Sequence, residues 1–83
     1  MSYPKVLAVN IIEDYILLIT FDNQQSKKYD VSQLFVKKMF EPLKNSHFFK
    51  SVQIETGGYA LSWGADIDIS EYELWQNGQV IEP

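Results

Sequence analysis

The sequence predicts a small α+β domain, an antiparallel sheet of about five strands built from hairpins and packed with about two or three short helices. Three observations carry this. Aliphatic and β-branched runs over 5–12, 15–21 and 51–63 are separated by short turn segments. From Val31 the apolar spacing changes to that of a helix, and a final helix is signposted by Ser70 and Gly78.

Lys5–Ile12 and Tyr15–Phe21 flank Glu13–Asp14 and read as a hairpin. A loop of those two residues would pair Ile12 with Tyr15, Ala8 with Ile19 and Val6 with Phe21. Glu-Asp lacks the preference for positive φ that tight hairpin turns need, so a longer loop or a bulge stays open. Asp22–Asn23 starts a second turn, and Gln24–Asp30 returns as a short polar strand. Its Lys27 and Lys28 suit a sheet edge, where charge discourages pairing with other chains.

Val31, Leu34 and Phe35 share one helical face, with Asp30 or Ser32 as N-cap, and Pro42 ends this element before Glu41. Leu43 and Phe48–Phe49 anchor one or two further turns, capped by Asn45 or Ser46. Ser51–Thr56 and Tyr59–Trp63 form the clearest hairpin, around a Gly57–Gly58 loop of type I′. That register pairs Thr56 with Tyr59, Ile54 with Leu61 and Val52 with Trp63, leaving Gln53, Glu55, Ala60 and Ser62 on the other face. Ala65–Ile69 alternates again, with Asp66 and Asp68 opposite Ala65, Ile67 and Ile69. Ser70 and Glu73 make a capping box, Ile69 and Leu74 a hydrophobic staple, and Gly78 the C′ stop of a helix over Glu71–Asn77. Tyr72, Leu74 and Trp75 are the side chains this helix offers for docking.

With 83 residues the chain fits one domain, 1–83. A domain of this size buries ~60–65 % of its unfolded surface, so the core is thin. There are no cysteines to staple it; five Tyr, five Phe and two Trp supply area instead. The N-terminal residues show no signal pattern, and the longest apolar run, Tyr15–Ile19, is far short of the about 20 residues of a membrane span. A cytoplasmic protein is expected.

The net charge of −4 argues against a free-standing nucleic-acid binder. Its distribution says more. Residues 27–50 carry six lysines against Asp30 and Glu41, whereas residues 51–83 carry six carboxylates and no base. Such a bipolar chain can steer a partner, or another copy of itself, by long-range attraction. All seven bases are lysine, so arginine's bidentate fork is absent.

No catalytic constellation emerges. The single histidine, His47, lies beside Ser46 and Ser51 without a nucleophile elbow, and reads as a surface residue. Asp66 and Asp68 lie ~6.6 Å apart along an extended segment and, with Glu71 or Glu73, offer oxygen ligands for a divalent cation. Water-facing aspartates on a strand are the commoner outcome, and Asp68 and Glu71 also suit a helix N-terminus. Turns and a helix end account for the glycines, and no aromatic residues interleave the lysine pairs as a nucleic-acid groove requires. Trp63 before Gly64 is either a core plug or an interface anchor, and core is expected in so small a domain.

The order of these features resembles the bacterial family known as domain of unknown function 2442. The resemblance runs from Val6–Val9 through Tyr15–Phe21, Asp22–Asn23, Asp30, Leu34, Phe40–Leu43 and Phe49 to Trp63, Asp66–Ile67–Asp68 and Leu74. Family members often read Trp-Pro-Asn-Gly where this chain has Trp63, Gly64, Ala65 and Asp66. The resemblance implies a small α+β domain without assigned catalysis. It also implies a gene beside another small protein, an arrangement like a toxin–antitoxin pair. Some relatives carry a C-terminal helix-turn-helix domain, and no such domain is expected in these 83 residues.

The expectation is a non-enzymatic protein-interaction module, without cofactor or bound metal, that pairs with another small protein or with itself. Direct nucleic-acid or membrane binding is not expected. Trp63, Asp66, Asp68 and Glu71 are the candidate contact residues. One alternative is a metal- or ligand-binding protein using the Asp66/Asp68 segment; another is an accessory subunit of a DNA-binding regulator.

Overall fold

A computed structural model describes residues 3–64 and 66–81. Strands β1 (Val6–Glu13), β2 (Ile16–Phe21) and β3 (Ser26–Asp30) form a meander, and α1 (Ser46–Phe49) follows two 3-10 segments. Next come β4 (Gln53–Ile54), β5 (Ala60–Trp63), β6 (Ile67–Ser70), α2 (Glu71–Asn77) and β7 (Gln79–Val80). The strands make two antiparallel sheets, β1-β2-β3-β7 and β4-β5-β6. The α+β class therefore holds, with the strands divided between two sheets.

In the first hairpin Val6 faces Phe21 as expected, but Ala8 faces Thr20 and Val9 faces Ile19. Irregularities between Val6 and Ala8 and between Ile11 and Glu13 shift the register, and Glu13, not Ile12, closes the ladder on Ile16. Tyr15 occupies the turn at φ 64°, a conformation unfavourable for its type. Packing holds it there. Its ring meets Phe35 and Phe49 edge-on at 5.0 and 5.3 Å, its hydroxyl donates to the Lys44 carbonyl, and its own carbonyl accepts from Val31 N–H at 2.8 Å.

The polar strand begins at Ser26, because Gln24 takes a positive φ of 69°. It is also not an edge: β7 pairs with Lys27 and Lys28. Gly78 explains why. Its φ of −74° and ψ of 155° are extended, not left-handed, and turn the chain back along β3. A Cβ there would lie 2.5 Å from the Leu74 carbonyl oxygen and 3.0 Å from Lys27 Cβ, so close approach is what demands glycine. Lys27 lies with its Nζ 3.9 Å from the Trp75 ring centroid and donates to the Trp75 carbonyl.

Val31–Leu34 is a 3-10 turn capped by Asp30, whose Oδ1 accepts from Ser32 N–H at 2.9 Å. A second 3-10 segment, Lys38–Lys44, runs through Pro42 instead of ending before Glu41. The Pro42 carbonyl accepts from Asn45 N–H at 3.2 Å; proline can open a new turn, where its missing N–H would have no partner anyway. Asn45 then caps α1.

The second hairpin keeps the expected register, Ile54 to Leu61. The ladder covers Gln53 and Ile54, and beyond it Glu55 N–H reaches the Ala60 carbonyl at 2.8 Å. The loop is wider than two residues, since Thr56–Gly58 forms a 3-10 turn with Gly57 at φ 82° and Gly58 at φ 76°. A Cβ on Gly58 would sit 2.4 Å from the Val6 carbonyl oxygen, so this glycine lets the second sheet abut β1. In β6, Ile67 and Ile69 point inward and Asp68 outward; Ala65 lies outside the described residues.

The core gathers Leu17, Ile19 and Phe21 of β2, Tyr29 and Val31, Leu43 and Phe49, Leu61 and Trp63, Ile67 and Ile69, and Leu74. Among the described residues no helix is long and apolar enough to cross a membrane.

Candidate protein-interaction face

Period-two alternation fixes one bank of the site. Ile67 and Ile69 are drawn into the core, so Asp68 is left facing water, as is Asp66 in the preceding turn. The 3-10 segments build the opposite bank. Val31 and Leu34 set an inward face, and Phe40 and Leu43 resume it. Between them Lys37 is extended at φ −93° and ψ 129°, which breaks the helical path. Val36 and Met39 therefore fall off the buried face and stand 90 % and 56 % exposed.

Two grooves separate the banks. One, of about 290 Å³, has Leu34, Lys37 and Phe40 on one side and Asp68, Ile69, Ser70 and Glu73 on the other. The second, of about 360 Å³, runs between Met39, Pro42 and Phe48 on one side and Trp63, Gly64, Asp66 and Ile67 on the other. Lys37, Lys38, Asp66 and Asp68 make no ion pair among the described residues. Lysines thus stand on one bank and carboxylates on the other, with apolar side chains between.

The two glutamates that follow in the chain are occupied. Glu73 Oε2 accepts from Tyr29 Oη at 2.6 Å. Burial, and then the neighbouring carboxylate, pushes the Tyr29 phenol well above the usual tyrosine range. Only half of the capping box forms: Ser70 Oγ accepts from Glu73 N–H at 3.2 Å, while the Glu73 side chain turns to Tyr29. Glu71 pairs with Lys5 Nζ at 3.4 Å, apart from both grooves. That lysine lies 4.7 Å from the Tyr59 ring centroid and donates to the Tyr3 carbonyl at 3.0 Å; Tyr3 meets Tyr72 edge-on at 4.7 Å.

The four residues singled out from sequence therefore separate. Asp66 and Asp68 line the grooves, and Glu71 is held by Lys5. Trp63 is fully buried, its Nε1–H donating to the Phe49 carbonyl at 2.8 Å and its ring stacked on Phe49 at 6.0 Å. No cluster of three or more metal-ligating side chains forms among the described residues. His47 is exposed, and the nearby Ser51 hydroxyl donates to the Phe48 carbonyl at 2.6 Å. Lys37 and Met39 join the grooves although the sequence alone does not single them out. The available signal was that Val36 and Met39 break the spacing set by Val31, Leu34 and Phe35.

A profile of the family described as protein of unknown function, DUF2442, matches residues 6–79. The chain belongs to that family. The match takes in both sheets, α2 and both banks of the grooves, so the face lies within the part shared with DUF2442. No curated protein and no solved structure matches the chain.

Proposed function

We propose that this DUF2442 chain is a non-enzymatic protein-interaction module whose contact face is the pair of grooves between Lys37–Met39 and Asp66–Asp68. The observation that carries this is the exposure of Val36 and Met39 beside charges of both signs that form no ion pair among the described residues. Protein interfaces combine apolar anchors with a charged rim, and methionine adapts readily to a partner's surface. The partner is a small protein or a second copy, and an antitoxin-like role is the finer form the family resemblance suggests. Phosphate backbones are disfavoured, because Asp66 and Asp68 would repel them.

The test is affinity purification from the native host with wild-type bait and with a Val36→Asp/Met39→Asp double variant. Wild type should retain a protein in stoichiometric amount and the variant should lose it, at an unchanged melting temperature. Equal retention by both baits, or no retained protein, contradicts the proposal.

A further inference from the structure

We infer that the partner of this face is a second copy of the chain, related by a two-fold axis. The inference rests on reading the face as a protein-contact surface. A two-fold contact needs a patch that is its own complement, in which residue i meets j and j meets i. This face has that property. Lys37 stands across one groove from Asp68, and Met39 stands across the other from Asp66. Rotating a copy by half a turn about an axis that lies in the face, running along the grooves between the two banks, sets each basic bank against the partner's acidic bank, twice. Val36 and Met39, exposed in the single chain, then enter the partner's grooves.

Charge selects this occupant over the others. An acidic partner would be drawn to Lys37 and Lys38 but repelled by Asp66 and Asp68; a basic partner would meet the reverse. A surface with both signs side by side suits a partner with the same signs in opposite order, and a second copy turned by half a turn presents that order. The charges are also available, since they form no ion pair among the described residues.

Sedimentation equilibrium of the purified chain over a concentration series, at low and high salt, tests this. Wild type should reach a dimer, more weakly as salt rises. Lys37→Glu and Asp68→Lys should each weaken self-association at least about tenfold, because each places like charges opposite one another twice. Mixing the two single variants should restore a dimer, as should combining both changes in one chain, because opposite signs face each other again. Circular dichroism should show all variants folded. A wild type that stays monomeric, or assembles beyond dimers, overturns the inference; so do single variants that dimerise like wild type, or a mixture that stays monomeric. If wild type is monomeric while the affinity purification yields a different protein, the two-fold inference fails and the broader reading stands.

Discussion

Asp66–Asp68 and Ser70–Leu74 are adjacent stretches of one segment, both rich in carboxylates, and the fold treats them differently. In the second stretch each polar side chain has work within the chain. Ser70 caps α2, Glu71 pairs with Lys5, and Glu73 accepts the Tyr29 phenol from the core. In the first, Asp66 and Asp68 face two grooves without an ion partner among the described residues. The difference separates charge that the fold uses from charge it leaves available. The distinction has consequences for both stability and association.

The largest expected effect lies at the inner end of the segment. Trp63→Ala should cost ~3–5 kcal/mol, because it leaves a cavity under both sheets and strands the Phe49 carbonyl. Against a typical total of ~5–15 kcal/mol, that is enough to populate the unfolded chain. Urea titration followed by circular dichroism checks it, and a native midpoint would place Trp63 outside the core.

Tyr29→Phe comes next, at about 2 kcal/mol, since a hydrogen bond to a carboxylate is lost and Glu73 is left half-buried without its donor. It also carries a pH signature. The folded state holds the phenol proton more tightly than the unfolded chain, so the unfolded chain releases it first as pH rises. Stability from this source is intact below about pH 10, the ordinary tyrosine range, and declines above it. Urea midpoints between about pH 8 and about pH 11 should fall less steeply in Tyr29→Phe than in wild type. Parallel declines would remove Tyr29 as the cause.

Ser70→Ala should lower stability by ~1 kcal/mol, the usual worth of an N-cap. An unchanged urea midpoint would mean that the Glu73 N–H finds another acceptor.

These residues also show why parts of the molecule were legible in the sequence. Glu71–Asn77 was, because the Ser70 cap acts locally, and the Ile54–Leu61 register was, because alternation and two glycines agree. Burial of Trp63 followed from its place on the same face of an alternating strand as Leu61. What escaped depends on distant packing. Tyr15 is held in a left-handed turn by Phe35 and Phe49, Gly78 is required by Lys27, and Glu73 is taken from its capping role by Tyr29. The grooves escaped for the same reason. Lys37 and Asp68 are far apart in sequence, and the fold alone places them on facing banks.

The most direct measurement of the central claim compares Asp66→Asn/Asp68→Asn with Glu71→Gln/Tyr29→Phe, reading urea stability and association side by side. Water-facing aspartates contribute little to folding, so the first pair should shift stability by less than ~0.5 kcal/mol while association weakens. The second pair should lose stability and, at temperatures where it remains folded, associate as wild type does. If the aspartate variant associates normally, or if its stability falls as far as that of the second pair, the division between charge used by the fold and charge left for a partner is wrong.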